Sequence, residues 1–132
     1  MTAPGRNEPG GEDPSAVAVR FHDCINRHDP GGPAALKTED HVFVDRDLTR
    51  HGPREIMAGN WREFFRMFPA CRNSFTRVET RGDRAVMAGR AFWSDENPKD
   101  TGLWTALIAG GLVKEWQVCE DTVERRGELE LP

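Results

Sequence analysis

The 132-residue chain has no tyrosine and only three cysteines. No phenolic hydroxyl is therefore available to any site. Cys24, Cys71 and Cys119 are an odd number in unrelated contexts and form no C-x-x-C pair, so neither a disulfide framework nor a zinc knuckle is indicated. A reducing cytoplasm is the natural reading. No apolar run approaches the ~20 residues of a membrane span, and the first residues lack the apolar core of a secretory signal. There is no Lys/Arg stripe either. Eighteen basic residues are mixed among 22 acidic ones for a net charge of −4, which argues against a nucleic-acid partner. The four histidines, His22, His28, His41 and His51, show no H-x-x-x-H spacing, and no metal site is expected. Neither a G-x-G-x-x-G nor a P-loop is present, so no cofactor is expected.

What remains reads as one domain. Residues 1–14 are Pro, Gly and charge without hydrophobic periodicity, a disordered leader. Residues 125–132 are a charged, flexible tail. Between them, Asp13-Pro14-Ser15 signals a helix start, and Val17, Phe21, Cys24, Ile25 and His28 recur at helical steps. Asp29-Pro30-Gly31-Gly32 ends that helix, and Pro33-Ala34-Ala35-Leu36 predicts a short second one. His41 to Asp45 is a first strand. Gly52-Pro53 opens a third helix with Met57, Trp61, Phe64, Phe65 and Phe68 along one side, closed by Pro69. From there the period changes to strands: 73–81, 85–94, 101–109 and 112–121. The turns fall at Gly82-Asp83, at the polar loop 95–100, and at Gly110-Gly111. Helices segregated from a run of antiparallel strands make an α+β fold.

Three blocks carry a resemblance. They are Ile25-Asn26-Arg27-His28-Asp29, then Glu39 through Asp45, then Gly52-Pro53-Arg54-Glu55-Ile56 extended by Trp61, Phe64, Phe65 and Phe68-Pro69. With the final Gly111-Leu112-Val113-Lys114-Glu115-Trp116, they are similar to the nuclear transport factor 2-like superfamily, in its SnoaL-like and ketosteroid isomerase-like branch. The resemblance spans about 15–122. It implies a cone in which three N-terminal helices pack on a strongly curved, mostly antiparallel sheet with a pocket at the wide end. It leaves function open, because that fold hosts isomerases, polyketide cyclases, epoxide hydrolases and pure binders.

Strand alternation puts His41, Phe43 and Asp45 on one face. Asp45 falls where the resemblance places a general base, and walls of Phe43, Trp61 and Phe65 would raise its pKa. His41 is the histidine expected to partner it. The competing reading makes Asp45 the start of a polar loop. The isomerase mechanism also uses a tyrosine and a protonated aspartate. Phe21 and Trp104 stand at those positions, so that route is not expected. The cyclase aspartate corresponds to Gln117, with Glu115, Cys119 and Asp121 read on the same face, which makes Asp121 a further acid–base candidate. The epoxide hydrolase pattern has only Arg81-Gly82-Asp83 to offer, in a turn.

Met87, Gly89, Ala91 and Trp93 share a face read as cavity lining, with Gly89 and Ala91 leaving room and Trp61, Trp93 and Trp104 as flat walls. The expected ligand is a small, apolar, ring-containing compound. The opposite face, read as Val86, Ala88, Phe92, Leu103, Leu107, Trp116 and Val118, predicts a homodimer through the outer sheet. His28 reads as a helix cap and His22 as solvent-facing. Three functions stay open: an acid–base enzyme of isomerase or cyclase type, a non-catalytic binding or dimerising protein, and an epoxide hydrolase-like activity.

Overall fold

Asp13 opens the first helix. Its carboxylate accepts from the Ser15 N–H at 3.4 Å, and Pro14 follows at the first helical position, where no N–H is needed. In the computed structural model, which describes residues 13–29, 35–92 and 100–131, this helix α1 is Pro14–Asn26 and buries Val17, Ala18, Phe21, His22, Cys24 and Ile25. The second described helix, α2, is Arg54–Met67, with Pro53 as its N-cap residue. A third, α3, is Val123–Glu128. Two described helices thus lie in the N-terminal half and one follows the strands, instead of three N-terminal ones. The helix expected at 33–36 falls largely outside the described residues.

Among the described residues six strands follow the alternating pattern: β1 Lys37–Val44, β2 Arg50–His51, β3 Arg72–Arg81, β4 Arg84–Phe92, β5 Asp100–Ala109 and β6 Leu112–Cys119. Their order in the sheet is β2-β1-β6-β5-β4-β3, with β1 and β6 parallel and every other pair antiparallel. The fold is therefore α+β with a mixed sheet. The Gly110-Gly111 hairpin has both residues at positive φ, 60° and 79°, which glycine adopts without a Cβ penalty. Helix α1 lies across β3 to β6, and α2 lies against β1.

The inner face of the sheet and the two long helices share one core, which includes Phe21, Trp61, Phe65, Met87, Trp104, Val113 and Trp116. Here β6 departs from expectation. Val113 pairs with Ile108, yet Glu115 pairs with Leu107, so one extra residue is inserted at Lys114. A bulge of one residue reverses the face of everything beyond it. Trp116 and Val118 therefore turn inward instead of outward, and Glu115, Gln117 and Cys119 turn away from the core. Cys119 packs with Val86, Ala88 and Leu103 on the outer face.

That outer face is covered within the same chain. Leu131 is buried against it, with Leu129 beside it. Asp121, instead of serving a pocket, holds the covering segment: Arg126 donates to its two oxygens at 2.6 and 3.0 Å, which keeps the Asp121 carboxyl below the usual carboxylate range. Residues 125–131, within the stretch read from sequence as a flexible tail, thus include four of the six residues of α3 and a buried leucine. Among the described residues no helix is long and apolar enough to cross a membrane.

Candidate functional site

Helix α2 carries Met57, Asn60, Trp61 and Phe64 along one side, with Phe68 just past its end, and this side faces β1, β4, β5 and β6. Between them lies a cavity of about 510 Å³, lined by Ile25, Phe43, Met57, Trp61, Phe64, Phe68, Ala91, Trp104, Trp116 and Val118, with polar groups from Asp45, Arg46, His51, Asn60, Arg72 and Asn73. Its volume lies in the usual range for small-molecule sites, as does its mix of many aromatic walls and few polar groups. Rings contact one another along the wall: Phe43 meets Trp61 edge-on at 5.6 Å, and Trp61 meets Phe64 edge-on at 5.8 Å.

Of the residues expected in the cavity, Asp45, Phe43, Trp61, Ala91 and Trp104 line it. Phe21 does not; it is fully buried, 4.6 Å from the Trp116 ring. Phe65 lies behind the wall, stacked between Trp61 and His28. Met87 is sealed in the core. Gly89 leaves room for the backbone of β3 instead of a ligand, since a Cβ there would overlap the Ser74 carbonyl oxygen. Gln117, Cys119 and Asp121 are turned away by the β6 bulge. Trp93 lies outside the described residues.

Asp45 is not enclosed as expected. Its side chain is 48% exposed at the rim, one oxygen accepting from the Arg46 N–H at 2.8 Å and the other 3.6 Å from His51 Nε2. His51, not His41, is its neighbour. Strand β2 is only two residues long, but its pairing of His51 with Phe43 sets the imidazole on the face that Phe43 and Asp45 share. A carboxylate and an imidazole thus stand side by side at the cavity rim.

His41 is wholly buried. Its Nδ1 donates to the Val113 carbonyl at 2.8 Å, and burial pushes the ring down to about 4, so it is neutral at pH 7. His22, expected in solvent, is buried and stacked on Phe75 at 3.8 Å, which lowers its pKa by desolvation. The His28 ring donates to the Cys71 carbonyl at 2.6 Å, bridging α1 to the start of β3 instead of capping its own helix with that ring. Among the described residues no three His, Cys, Asp or Glu side chains converge as metal ligands would.

Sequence reading also missed Lys37. It is 0% exposed, its ammonium lying 5.8 Å from the ring centres of both Phe21 and Trp61. Desolvation lowers its pKa to about 8.

The sequence model of the SnoaL-like domain matches residues 18–109. A nuclear transport factor 2-like protein of unknown function from Mesorhizobium loti superposes with a TM-score of 0.71 at 21% identity, covering 92% of this chain and 98% of that one. A candidate polyketide cyclase from Sinorhizobium meliloti gives 0.69 at 14%, covering 78% and 93%. A candidate ketosteroid isomerase from Kribbella flavida gives 0.69 at 20%, covering 83% and 78%. At these identities the likeness is one of fold. No curated protein matches the chain in sequence.

Proposed function

The chain belongs to the SnoaL-like domain family, and from that premise we propose that it binds a small, mostly apolar ring compound bearing a carbonyl and moves a proton on it with Asp45 as the base. One observation carries the reading: an acidic side chain at the rim of an aromatic cavity of about 510 Å³. The ring of the ligand lies among Phe43, Trp61, Trp104 and Trp116. Asp45 takes a proton from the carbon beside the carbonyl, with one oxygen held by the Arg46 N–H, and His51 steadies the carboxylate. The names of two structural neighbours, polyketide cyclase and ketosteroid isomerase, agree with such chemistry. An epoxide hydrolase-like activity is the other alternative: a structural neighbour bears that name, although neither Arg81 nor Asp83 lines the cavity.

Hydrogen–deuterium exchange at the carbons beside the ketone of 2-tetralone, followed by NMR, tests the base. Wild type should exceed buffer, and Asp45→Asn should cut the rate by ~10²-fold or more, the usual weight of a positioned base, with 2-tetralone affinity within about twofold. Equal exchange in both proteins would sink the catalytic role. Binding without exchange would favour the second reading, a non-catalytic binder, for which the high exposure of Asp45 speaks.

A homodimer through the outer sheet face is a second proposal. It now has to include the segment just after α3, whose Leu129 and Leu131 pack on Val86, Ala88 and Leu103. Light scattering checks it: a mass of two chains is expected, and a mass of one ends the idea.

A further inference from the structure

Cys71 lies between α2 and β3 and, of the three cysteines, is the one that lines the cavity. Cys24, on α1, accepts from Arg27 Nη2 at 3.3 Å, and Cys119 packs with Leu131 on the outer face. Nor does Cys71 stand alone. The His28 ring stacks on Phe65 at 4.7 Å, and its Nε2–H, donating to the Cys71 carbonyl at 2.6 Å, also lies 3.4 Å from Cys71 Sγ. A carbonyl only accepts, so the hydrogen sits on Nε2, where the sulfur shares it. A second residue of the wall lacks a partner. Trp61 lines the same cavity and is 8% exposed, and its Nε1–H makes no hydrogen bond. Buried donors ordinarily have an acceptor, and a ligand carbonyl is one.

On the reading of the cavity as a ligand site, we propose that Cys71 is a covalent attachment site for cyclic enones, ring ketones with a C=C bond conjugated to the carbonyl. The thiol gives its proton to water, and the sulfur lone pair forms a bond to the carbon β to the carbonyl. The C=C π pair shifts to make an enolate, and the carbon beside the carbonyl takes a proton from water. Nothing is needed as oxidant or reductant. The shared His28 N–H favours the thiolate, but burial pushes the Cys71 thiol up from its ordinary value. Toward reagents in bulk water Cys71 is therefore a slow nucleophile. Its selectivity comes from placement: a ring held against the sulfur by aromatic walls reacts within one complex, and that proximity outweighs the small thiolate fraction.

Incubation of the full chain with cyclohex-2-en-1-one, followed by intact mass and peptide mapping, tests this. One enone per chain is expected, on Cys71, with Cys24 and Cys119 labelled at least ~10-fold more slowly. Naphthalene-2-carboxamide, a ring amide that does not add thiols, should slow labelling roughly tenfold by filling the cavity. Because the thiol is pushed up, the labelling rate should still rise with pH past about 9.0, and His28→Leu should shift that rise to higher pH. Label spread evenly over the three cysteines, or unaffected by saturating carboxamide, overturns the proposal. A rise left in place by His28→Leu overturns the pairing with His28. No label, with carboxamide still binding in calorimetry, overturns the covalent site and leaves the cavity reading standing. Neither label nor carboxamide binding overturns both.

Discussion

Lys37→Met is expected to stabilise the fold by about 2 kcal/mol at pH 7, raising Tm by roughly 10 °C. Most substitutions of a fully buried residue destabilise, so the sign is the test. An amine normally titrating at 10.5 but held at about 8 in the folded chain disfavours folding in its charged form by ~3 kcal/mol, at 1.36 kcal/mol per unit. Two ring faces at 5.8 Å, near the outer limit of a cation–π contact, return about 1 kcal/mol of that. Methionine keeps the length and apolar stem, fills irregular space and carries no charge. Replacing a buried charge with an apolar side chain of similar volume is often stabilising. Urea unfolding at pH 7 measures the difference, and a loss of more than 1 kcal/mol would show that Lys37 has a partner after all.

The pH dependence follows with its own sign. The folded pKa lies below the unfolded one, so below pH 8 both states are charged and the whole penalty applies. Between about 8 and 10.5 the unfolded chain binds the proton and the folded chain does not, and wild-type stability rises with pH. The gap between Lys37→Met and wild type should therefore close across this window.

Why Lys37 escaped notice in the sequence is instructive. It stands in Leu36-Lys37-Thr38-Glu39-Asp40, a run that reads as a solvated approach to a strand. Its burial comes from tertiary packing, with Phe21 of α1 and Trp61 of α2 closing over it. His51 was equally hidden, because a two-residue strand has no period to detect and only its register with Phe43 brings it to Asp45. What local chemistry dictates was legible. The Asp13-Pro14 helix start, the Gly110-Gly111 hairpin, the aromatic side of α2 and the shared face of Phe43 and Asp45 all follow from propensity and alternation. The face of β6 was not, since alternation counted from Val113 puts Gln117 and Cys119 inside, and only pairing with β5 reveals the extra residue that brings Trp116 and Val118 in.

Gly89 and Ala91 make the same point on one strand and yield the other large effect. Alternation treats them alike, as small residues that leave space on the inner face of β4. Gly89→Ala is expected to cost at least ~3 kcal/mol or abolish folding. The added methyl would overlap the Ser74 carbonyl oxygen and lie 2.9 Å from Phe75 Cα, and neither backbone group can rotate aside. The β3–β4 pairing bulges next to this point, with a register shift between Phe75 and Arg77, so relief means pulling the two strands apart there. Ordinary overpacking costs about 1–3 kcal/mol, and a backbone obstacle belongs at the top of that range or beyond. Ala91→Phe should behave in the opposite way. Ala91 lines the cavity, where a phenyl ring meets open space, so stability should stay within about 1 kcal/mol of wild type. The ring would occupy the ligand's volume, and naphthalene-2-carboxamide affinity should fall at least tenfold. Urea unfolding and calorimetric titration of the two variants separate the roles: a folded, ligand-free Gly89→Ala beside an Ala91→Phe that unfolds would reverse the assignment of packing to one and cavity to the other.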